Sequence, residues 1–315
     1  MLRHMRTGYP DGRYGRTMET AGRRRLPGPV TILIAIVTGV ALALIIDIAR
    51  SGGTAGWLGR HGLRPLYVAT GERIDLRGRS LYLDCRGSGA PTVVLEAGSG
   101  SDSATWSAVH DGLAAVTRTC AYDRAGRGRS DPTERRTLSD AAAELGTLLA
   151  VADEPGPYVL VGHSLGGAFV RVMAGNAGAD VVGLVLVDTF DPDLQTDWIH
   201  PLLGPLRPEY ETTLDELRGV VSNVDSLDWP TSERQLRASS IPGLPIDVLV
   251  AARHEPRLDE ATNLAIAKAW VAAYESLSPG RVRYITAWGA GHDVHIDRPD
   301  LVIGSVRHLV GLARH

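Results

Sequence analysis

Short apolar runs alternate with amphipathic stretches over most of the chain, from about residue 66 to the C-terminus. Alternation of this kind is typical of strand–helix–strand units and predicts an α/β fold, with a mostly parallel central sheet and helices on both faces. The apolar runs predict strands at residues 92–96, 119–122, 158–161, 182–187, 247–251 and 281–286, after an opening hairpin of residues 73–76 and 81–84. The amphipathic stretches predict helices at about 104–116, 139–151, 164–174, 259–277 and 299–313.

Residues 191–245 interrupt this alternation. The stretch is polar, contains several prolines and has only short helical patches, such as residues 213–220. We interpret it as a small helical cap inserted above the sheet. Open α/β sheets bind ligands at the carboxyl ends of their strands, so a cap here would help to form the pocket.

The N-terminal region has a different pattern. Residues 1–28 carry seven arginines, and no charged residue occurs from 26 to 46. Residues 29–48 are long enough to cross a bilayer, and the basic cluster before them predicts a cytoplasmic N-terminus. We therefore expect an anchor at 29–48, a linker at 49–65 and an extracytoplasmic domain at 66–315. A cleaved signal peptide is the alternative, which would give a secreted protein.

Composition narrows the partners and the chemistry. The chain has 315 residues, 44% of them hydrophobic and 22% charged, with a formal net charge of −3. That charge gives no reason to expect a nucleic acid partner. The two cysteines, Cys85 and Cys120, are too far apart in the sequence for a Cys-x-x-Cys metal or redox site. They are either buried free thiols or, in an exported domain, a disulfide.

A candidate nucleophile stands between a predicted strand and a predicted helix. The apolar run at 158–161 leads directly into Gly162-His163-Ser164-Leu165-Gly166. In a strand–turn–helix context, this spacing holds a serine in a strained turn with its hydroxyl exposed. The alternative is a glycine-rich turn whose serine caps the helix.

A serine nucleophile needs a base. His292 lies on a glycine-flanked loop after the last predicted strand and is the candidate. His295, three residues later, is predicted to be a surface residue or one that supports the site from behind.

The base in turn needs a carboxylate to orient it. Glu255 follows the predicted strand 247–251 and is the first candidate, because it would lie on the sheet edge that carries Ser164. Asp188, at the end of the strand 182–187, is the alternative acid. Asp259 and Glu260 are further candidates.

Acyl transfer also requires donors for the developing oxyanion, usually two main-chain N–H groups. Leu165 supplies one because it follows the nucleophile. The small residues after the strand 92–96 predict a second donor at Ser99, with Gly98 beside it.

These motifs, taken together, resemble the α/β-hydrolase superfamily from about residue 66 onward. The resemblance includes Leu95-Glu96-Ala97-Gly98, the segment from Asp123 to Ser130, Gly162–Gly167 and Gly291-His292. The Asp123–Ser130 segment is a structural turn in such proteins. The chain departs from the family pattern at Ala97, where His is usual, and at Glu255, where Gly-x-x-Asp is usual.

The resemblance implies hydrolysis of a carboxylic ester of a small-molecule acyl substrate, with no cofactor and no metal. An acyltransferase or a cofactor-free perhydrolase using the same residues is an alternative. A non-catalytic, membrane-tethered binding module is a third hypothesis.

Overall fold

The computed structural model describes residues 70–315, apart from 177–179, 190, 192–196, 198, 242 and 253–256. The predicted anchor and linker, and the candidate acid Glu255, lie outside the described residues. Among the helices of the described part, none is long and apolar enough to cross a membrane.

One eight-stranded sheet forms the centre of the fold, in the order β1-β2-β4-β3-β5-β6-β7-β8. Strands β1 and β2 form the predicted antiparallel hairpin, β2 also pairs antiparallel with β4, and all further pairs are parallel. The α/β architecture predicted from the alternation is confirmed. The strands are β1 Glu72–Asp75, β2 Ser80–Arg86, β3 Thr92–Glu96, β4 Thr119–Tyr122, β5 Tyr158–His163, β6 Val181–Val187, β7 Ile246–Ala251 and β8 Val282–Ala287.

Helices cover both faces of this sheet. They are α1 Ser107–Ala114, α2 Leu138–Val151, α3 Leu165–Gly175, α4 Arg207–Val224, α5 Trp229–Ala238, α6 Glu260–Glu275, α7 Val294–Asp297 and α8 Pro299–Ala313. Successive side chains of a strand point to opposite faces, so each central strand contributes to two cores. Leu160 of β5 packs in the core that contains α2 and α3, whereas its neighbours Val159 and Val161 pack in the core that contains α1 and α8. This double burial explains the continuous apolar runs of the central strands.

The predicted helix at 104–116 is divided. A 3-10 turn at Ser103–Trp106 precedes α1. The tight turn is held by two carboxylates: Asp102 accepts the N–H of Ala104 at 3.0 Å, and Asp123 accepts that of Ser103 at 2.8 Å. Side chains therefore satisfy N–H groups that would be left open at a helix start.

The region between β6 and β7 is more helical than the sequence predicted. The prediction of short patches at 213–220 was wrong, because Arg207–Val224 is one continuous helix. Pro208 and Pro230 stand in the first turns of α4 and α5, where a missing N–H costs nothing. Leu214 and Val221, two turns apart on α4, are both buried in the core.

Cys85 of β2 and Cys120 of β4 form a disulfide. They stand directly opposite each other in the antiparallel pair, with their Cα atoms 4.0 Å apart. The bond joins the antiparallel part of the sheet to its parallel part, on the side away from β8.

Candidate active site

Ser164 occupies the sharp turn between β5 and α3. Its backbone angles are φ 51° and ψ −121°, a strained combination for a residue with a side chain. The Ser164 N–H donates to the carbonyl oxygen of Val187 at 3.0 Å, which holds the turn against β6. The glycines allow close packing: a Cβ on Gly162 would lie 2.5 Å from the carbonyl oxygen of Gly166, and one on Gly166 would lie 2.4 Å from that of Glu96.

A carboxylate–imidazole pair lies at the same edge of the sheet. Nδ1 of His292 is 2.7 Å from Oδ2 of Asp188, and the imidazole side chain is 53% exposed whereas the carboxylate is 1% exposed. The other oxygen of Asp188, Oδ1, accepts the N–H of Ala251 at 3.1 Å. Asp188 itself has φ 42° and donates its N–H to Leu249. Neighbouring strands thus hold the carboxylate in one orientation.

The four candidate acids have different positions. Asp188, the alternative of the sequence analysis, contacts the imidazole, whereas Glu255 is outside the described residues. Asp259 caps α6 by accepting the N–H of Thr262 at 2.7 Å, and Glu260 is in the first turn of that helix.

Two further histidines pack behind His292. His163 donates from Nε2 to the carbonyl oxygen of His292 at 3.0 Å, and its ring centroid is 4.2 Å from that of His295. The prediction of a surface position for His295 was wrong, because the residue is 1% exposed and its ring lies 4.5 Å from that of Trp106. His295 instead packs behind His292, which is the other position that the sequence analysis considered for it.

Burial keeps both of these rings uncharged at neutral pH. Burial, followed by the nearby His292, lowers the pKa of His163 to about 4. Burial and the two neighbouring imidazoles lower the pKa of His295 well below its usual range. Two neutral rings therefore support the loop that carries His292.

The loop after β3 runs beside Ser164. A Cβ on Gly98 would lie 3.3 Å from Cβ of Ser164 and 3.0 Å from Nδ1 of His163, so any larger residue would crowd the turn. Leu165 begins α3, where the first N–H groups have no acceptor within the helix. The Ser99 N–H has no acceptor among the described residues. Within the part of the chain that the structure describes, both predicted donors therefore lack an acceptor.

Arg124 fixes the direction of that loop. Its guanidinium donates to the carbonyl oxygens of Ala97 and Gly98, the latter at 2.8 Å. In a trans peptide the N–H points opposite to the C=O. The two carbonyls held by Arg124 therefore direct the N–H groups of Gly98 and Ser99 away from the guanidinium.

The Arg124 charge is balanced by two buried carboxylates. It forms ion pairs with Glu96 and with Asp225, the latter at 2.9 Å, and Asp225 also accepts from the hydroxyl of Ser99. Burial opposes the charge on Arg124, but Glu96 and Asp225 raise its pKa above the usual value. Asp225 directly follows α4, so the segment between β6 and β7 contributes to the loop beside Ser164.

Sequence reasoning missed Arg124 and Asp225. Arg124 was assigned to a structural turn, although an arginine two positions after the buried strand β4 was a signal that it needs a buried partner. No sequence pattern indicated Asp225, because its partner Arg124 lies 101 positions away.

Among the described residues, one group of side chains behind the site could share a metal ion. Donor atoms of His163, Asp293 and His295 lie within 4.8 Å of one another. Nε2 of His163 is already bonded to a main-chain carbonyl, and Asp293 is largely exposed. The group is a second support of the His292 loop.

An apolar cavity lies close to Asp188. Its volume is about 870 Å³, and it is bounded by the ends of β7 and β8 and by helices α4 and α6. Ala251, whose N–H binds Asp188, is part of its wall.

Comparisons with known proteins show the family and the fold. The model of the alpha/beta hydrolase family matches residues 93–304. The uncharacterized protein YqjL of Bacillus subtilis is 27% identical over 231 residues, which are 69% of this chain and 82% of that protein. Other curated relatives are matched over about half of their own length or less.

Solved structures share the fold at low identity. An esterase from Thermogutta terrifontis is 19% identical, with a TM-score of 0.51 over 76% of this chain and 97% of that one. A putative lipase from Acinetobacter baumannii is 17% identical, with a TM-score of 0.54 over 78% of this chain and 92% of that one. The match to the family model covers more than half of the sequence, so this chain belongs to the alpha/beta hydrolase family.

Proposed function

We propose that the protein is a serine hydrolase that cleaves a carboxylic ester through an acyl-enzyme on Ser164. The observation that supports this most is the 2.7 Å contact between His292 and the buried carboxylate of Asp188, at the edge of the sheet that also carries the strained serine turn. An imidazole oriented by a buried carboxylate is the base that a serine hydroxyl requires. Two of the solved structures that share the fold are described as an esterase and a putative lipase.

In the proposed reaction, Nε2 of His292 takes the proton of the Ser164 hydroxyl while Oγ attacks the ester carbonyl. The imidazolium is stabilised by Asp188, and it then protonates the leaving alcohol as the C–O bond breaks. Water attacks the acyl-enzyme in the second half. It gives its proton to Nε2, the acid leaves, and Ser164 recovers its proton.

The oxyanion of each tetrahedral intermediate would accept from main-chain N–H groups of Leu165 and Ser99, with Gly98 adjacent. Arg124 supports this assignment, because it holds the carbonyl oxygens of Ala97 and Gly98 on the opposite side. Donors that are fixed before the reaction need no reorganisation when charge develops.

Exposure of the base favours water as the acceptor. The His292 side chain is 53% exposed, so water can approach the imidazole. Acyltransferases and perhydrolases would use the same residues with an alcohol or peroxide. Product analysis with added methanol or hydrogen peroxide separates the cases: hydrolysis predicts that free acid remains the main product.

The decisive experiment combines labelling with turnover. A fluorophosphonate probe is expected to label Ser164, and the wild-type chain is expected to hydrolyse para-nitrophenyl acetate. Ser164→Ala is expected to abolish both, whereas Ser139→Ala, on the distant helix α2, is expected to change neither. An unlabelled and inert wild-type protein would refute the proposal.

We also propose that residues 29–48 anchor the catalytic domain on the extracytoplasmic side of a membrane. The uncharged run of the sequence supports a span, and the Cys85–Cys120 disulfide is typical of an oxidising compartment. An N-terminal epitope tag is expected to stay in the membrane fraction with the activity. Activity in the medium without the tag would favour a cleaved signal.

A further inference from the structure

The apolar cavity is built differently from the rest of the molecule. Most helices of the fold pack an apolar face against the sheet. Helix α6 differs, because only two of its residues, Ala273 and Tyr274, are buried. Its other apolar positions include Ile266, Ala267 and Trp270, which line the cavity. A helix of 16 residues thus directs an apolar stripe towards open space.

Helix α4 forms the facing wall in the same way. Tyr210, Thr213, Leu214 and Leu217 line the cavity and lie on one helical face, because residues three, four and seven positions apart are neighbours. The two helices therefore present apolar side chains to each other across a volume of about 870 Å³, which is within the range of ligand pockets.

The cavity begins next to Asp188, the proposed catalytic acid. Ala251 lines it and donates its N–H to Asp188, and the cavity extends past the end of β8. Ser164 follows β5, and β6 lies between β5 and β7. Two strand spacings separate the nucleophile from the cavity wall, a distance of about 10 Å.

Exposed apolar side chains surround the mouth of the cavity. Trp288 is 73% exposed, Leu217 44% and Val271 41%, and all three are lining residues. Large apolar side chains at such exposure mark a surface that contacts an apolar partner. Here they are continuous with an apolar interior, which points to a flexible, chain-like ligand.

We propose that this cavity binds the distal part of a long acyl chain whose ester carbonyl is held at Ser164. The proposal rests on the proposed function and adds the substrate class: esters of acids longer than about eight carbons, the length that spans two strand spacings. Shorter acyl groups react without entering the cavity. Each further methylene leaves water for the apolar walls, and the gain in kcat/KM is about three- to fourfold per methylene until the cavity is filled.

A chain-length series tests the proposal. The full-length protein is assayed on para-nitrophenyl esters from acetate to palmitate, below their micelle concentrations. For wild type, kcat/KM is expected to rise steeply beyond the octanoate ester. Ala267→Trp, which fills the cavity from α6, is expected to abolish this rise and to leave acetate hydrolysis within about twofold of wild type. Ala143→Trp, the same change on the exposed face of α2, is expected to leave the whole series unchanged.

Binding without turnover separates this proposal from the proposed function. Ser164→Ala is titrated with dodecanoic acid by calorimetry, and Ala267→Trp in the same background is expected to weaken binding at least tenfold. If the wild-type protein were inert on the acetate ester but dodecanoate still bound, the proposed hydrolase function would be refuted and the cavity would remain an acyl-chain site. An active enzyme with a flat chain-length series, or with equal dodecanoate binding in Ala267→Trp, would overturn the acyl-chain assignment.

Discussion

The two flanks of Ser164 differ in the polarity of their side chains. On the side of β3 and β4, buried charges hold the loop beside Ser164: Arg124 binds two carbonyls and pairs with Glu96 and Asp225. On the side of β7 and β8, a cavity of about 870 Å³ is lined mostly by apolar side chains. Both flanks receive residues from the segment between β6 and β7, Asp225 on the first and Leu214 on the second.

This difference assigns separate tasks to the two flanks. A buried ion pair with hydrogen bonds in fixed directions cannot adapt, because every displaced group would be left unpaired in a low-dielectric interior. The charged flank therefore suits the positioning of the oxyanion donors. Apolar walls have no directional requirement and accept chains of different length, so the other flank suits selection among substrates. Changes on the charged flank should alter kcat for all esters, and changes on the apolar flank should alter selectivity.

The largest effect is expected at the residue between the two flanks. Asp188→Asn leaves an amide where the imidazole needs an acceptor, and kcat is expected to fall about 10⁴-fold on every ester. Glu255→Gln, made in parallel, is expected to keep kcat within a few-fold of wild type. The reverse ranking in steady-state kinetics would transfer the role of the acid to Glu255.

A second effect concerns the neutral histidines that support the His292 loop. The unfolded chain takes up a proton on His163 near its usual pKa of 6.5, but the folded protein does so only near 4. Between these values the unfolded state binds more protons, so the free energy of unfolding falls as pH falls from 6.5 to 4, by up to about 3 kcal/mol. Above pH 6.5 this contribution does not change.

Urea unfolding at pH 7.5 and pH 5 measures this loss. His163→Gln is expected to lose clearly less stability than wild type over that interval, and His315→Gln, at an exposed position, is expected to lose as much as wild type. Equal losses in all three proteins would mean that His163 is not the source of the acid sensitivity.

The third prediction tests the charged flank directly. Arg124→Lys keeps a positive charge between Glu96 and Asp225 but lacks the planar fork that reaches two carbonyls at once. The N–H groups of Gly98 and Ser99 are then less well directed, and kcat is expected to fall about 10- to 100-fold with KM nearly unchanged. Arg129→Lys, on the exposed part of the same turn, is the control. A fall that appears in KM alone, or only with long acyl chains, would contradict the division of tasks between the flanks.

The sequence could predict those features of the candidate site that depend on a short stretch of residues, and not those that depend on the complete fold. Ser164 and His292 could be proposed from the sequence because each stands in a short pattern of its own, a strand–turn–helix and a glycine-flanked loop. The acid could not be chosen, because Glu255 and Asp188 both follow strands of the same sheet edge. The direction in which each carboxylate turns depends on the backbone, and Asp188 has a positive φ that no pattern predicts.

The contribution of the segment between β6 and β7 was still harder to predict from the sequence. Prolines in the first turns of α4 and α5 looked like interruptions, so the length of α4 was underestimated. That length decides where Asp225 is placed, and its contact with Arg124 joins residues 101 positions apart. Long-range pairs of buried charges depend on the complete fold, whereas the strands and helices depend on neighbouring residues.

The smallest effect is expected from Ser99→Ala, which separates the contribution of the Ser99 hydroxyl from that of its main-chain N–H. The hydroxyl donates to Asp225, but the proposed oxyanion donor is the N–H, which alanine retains. Ser99→Ala is therefore expected to cost about 1 kcal/mol of unfolding free energy, the usual net value of a hydrogen bond, and to leave kcat within a few-fold. Ser99→Pro removes the N–H, and its kcat is expected to fall about 10²-fold or more with the protein still folded by circular dichroism. If both variants lost activity equally, the hydroxyl and not the N–H of Ser99 would be the group that matters, and the charged flank would act through Asp225 rather than through the direction of the loop.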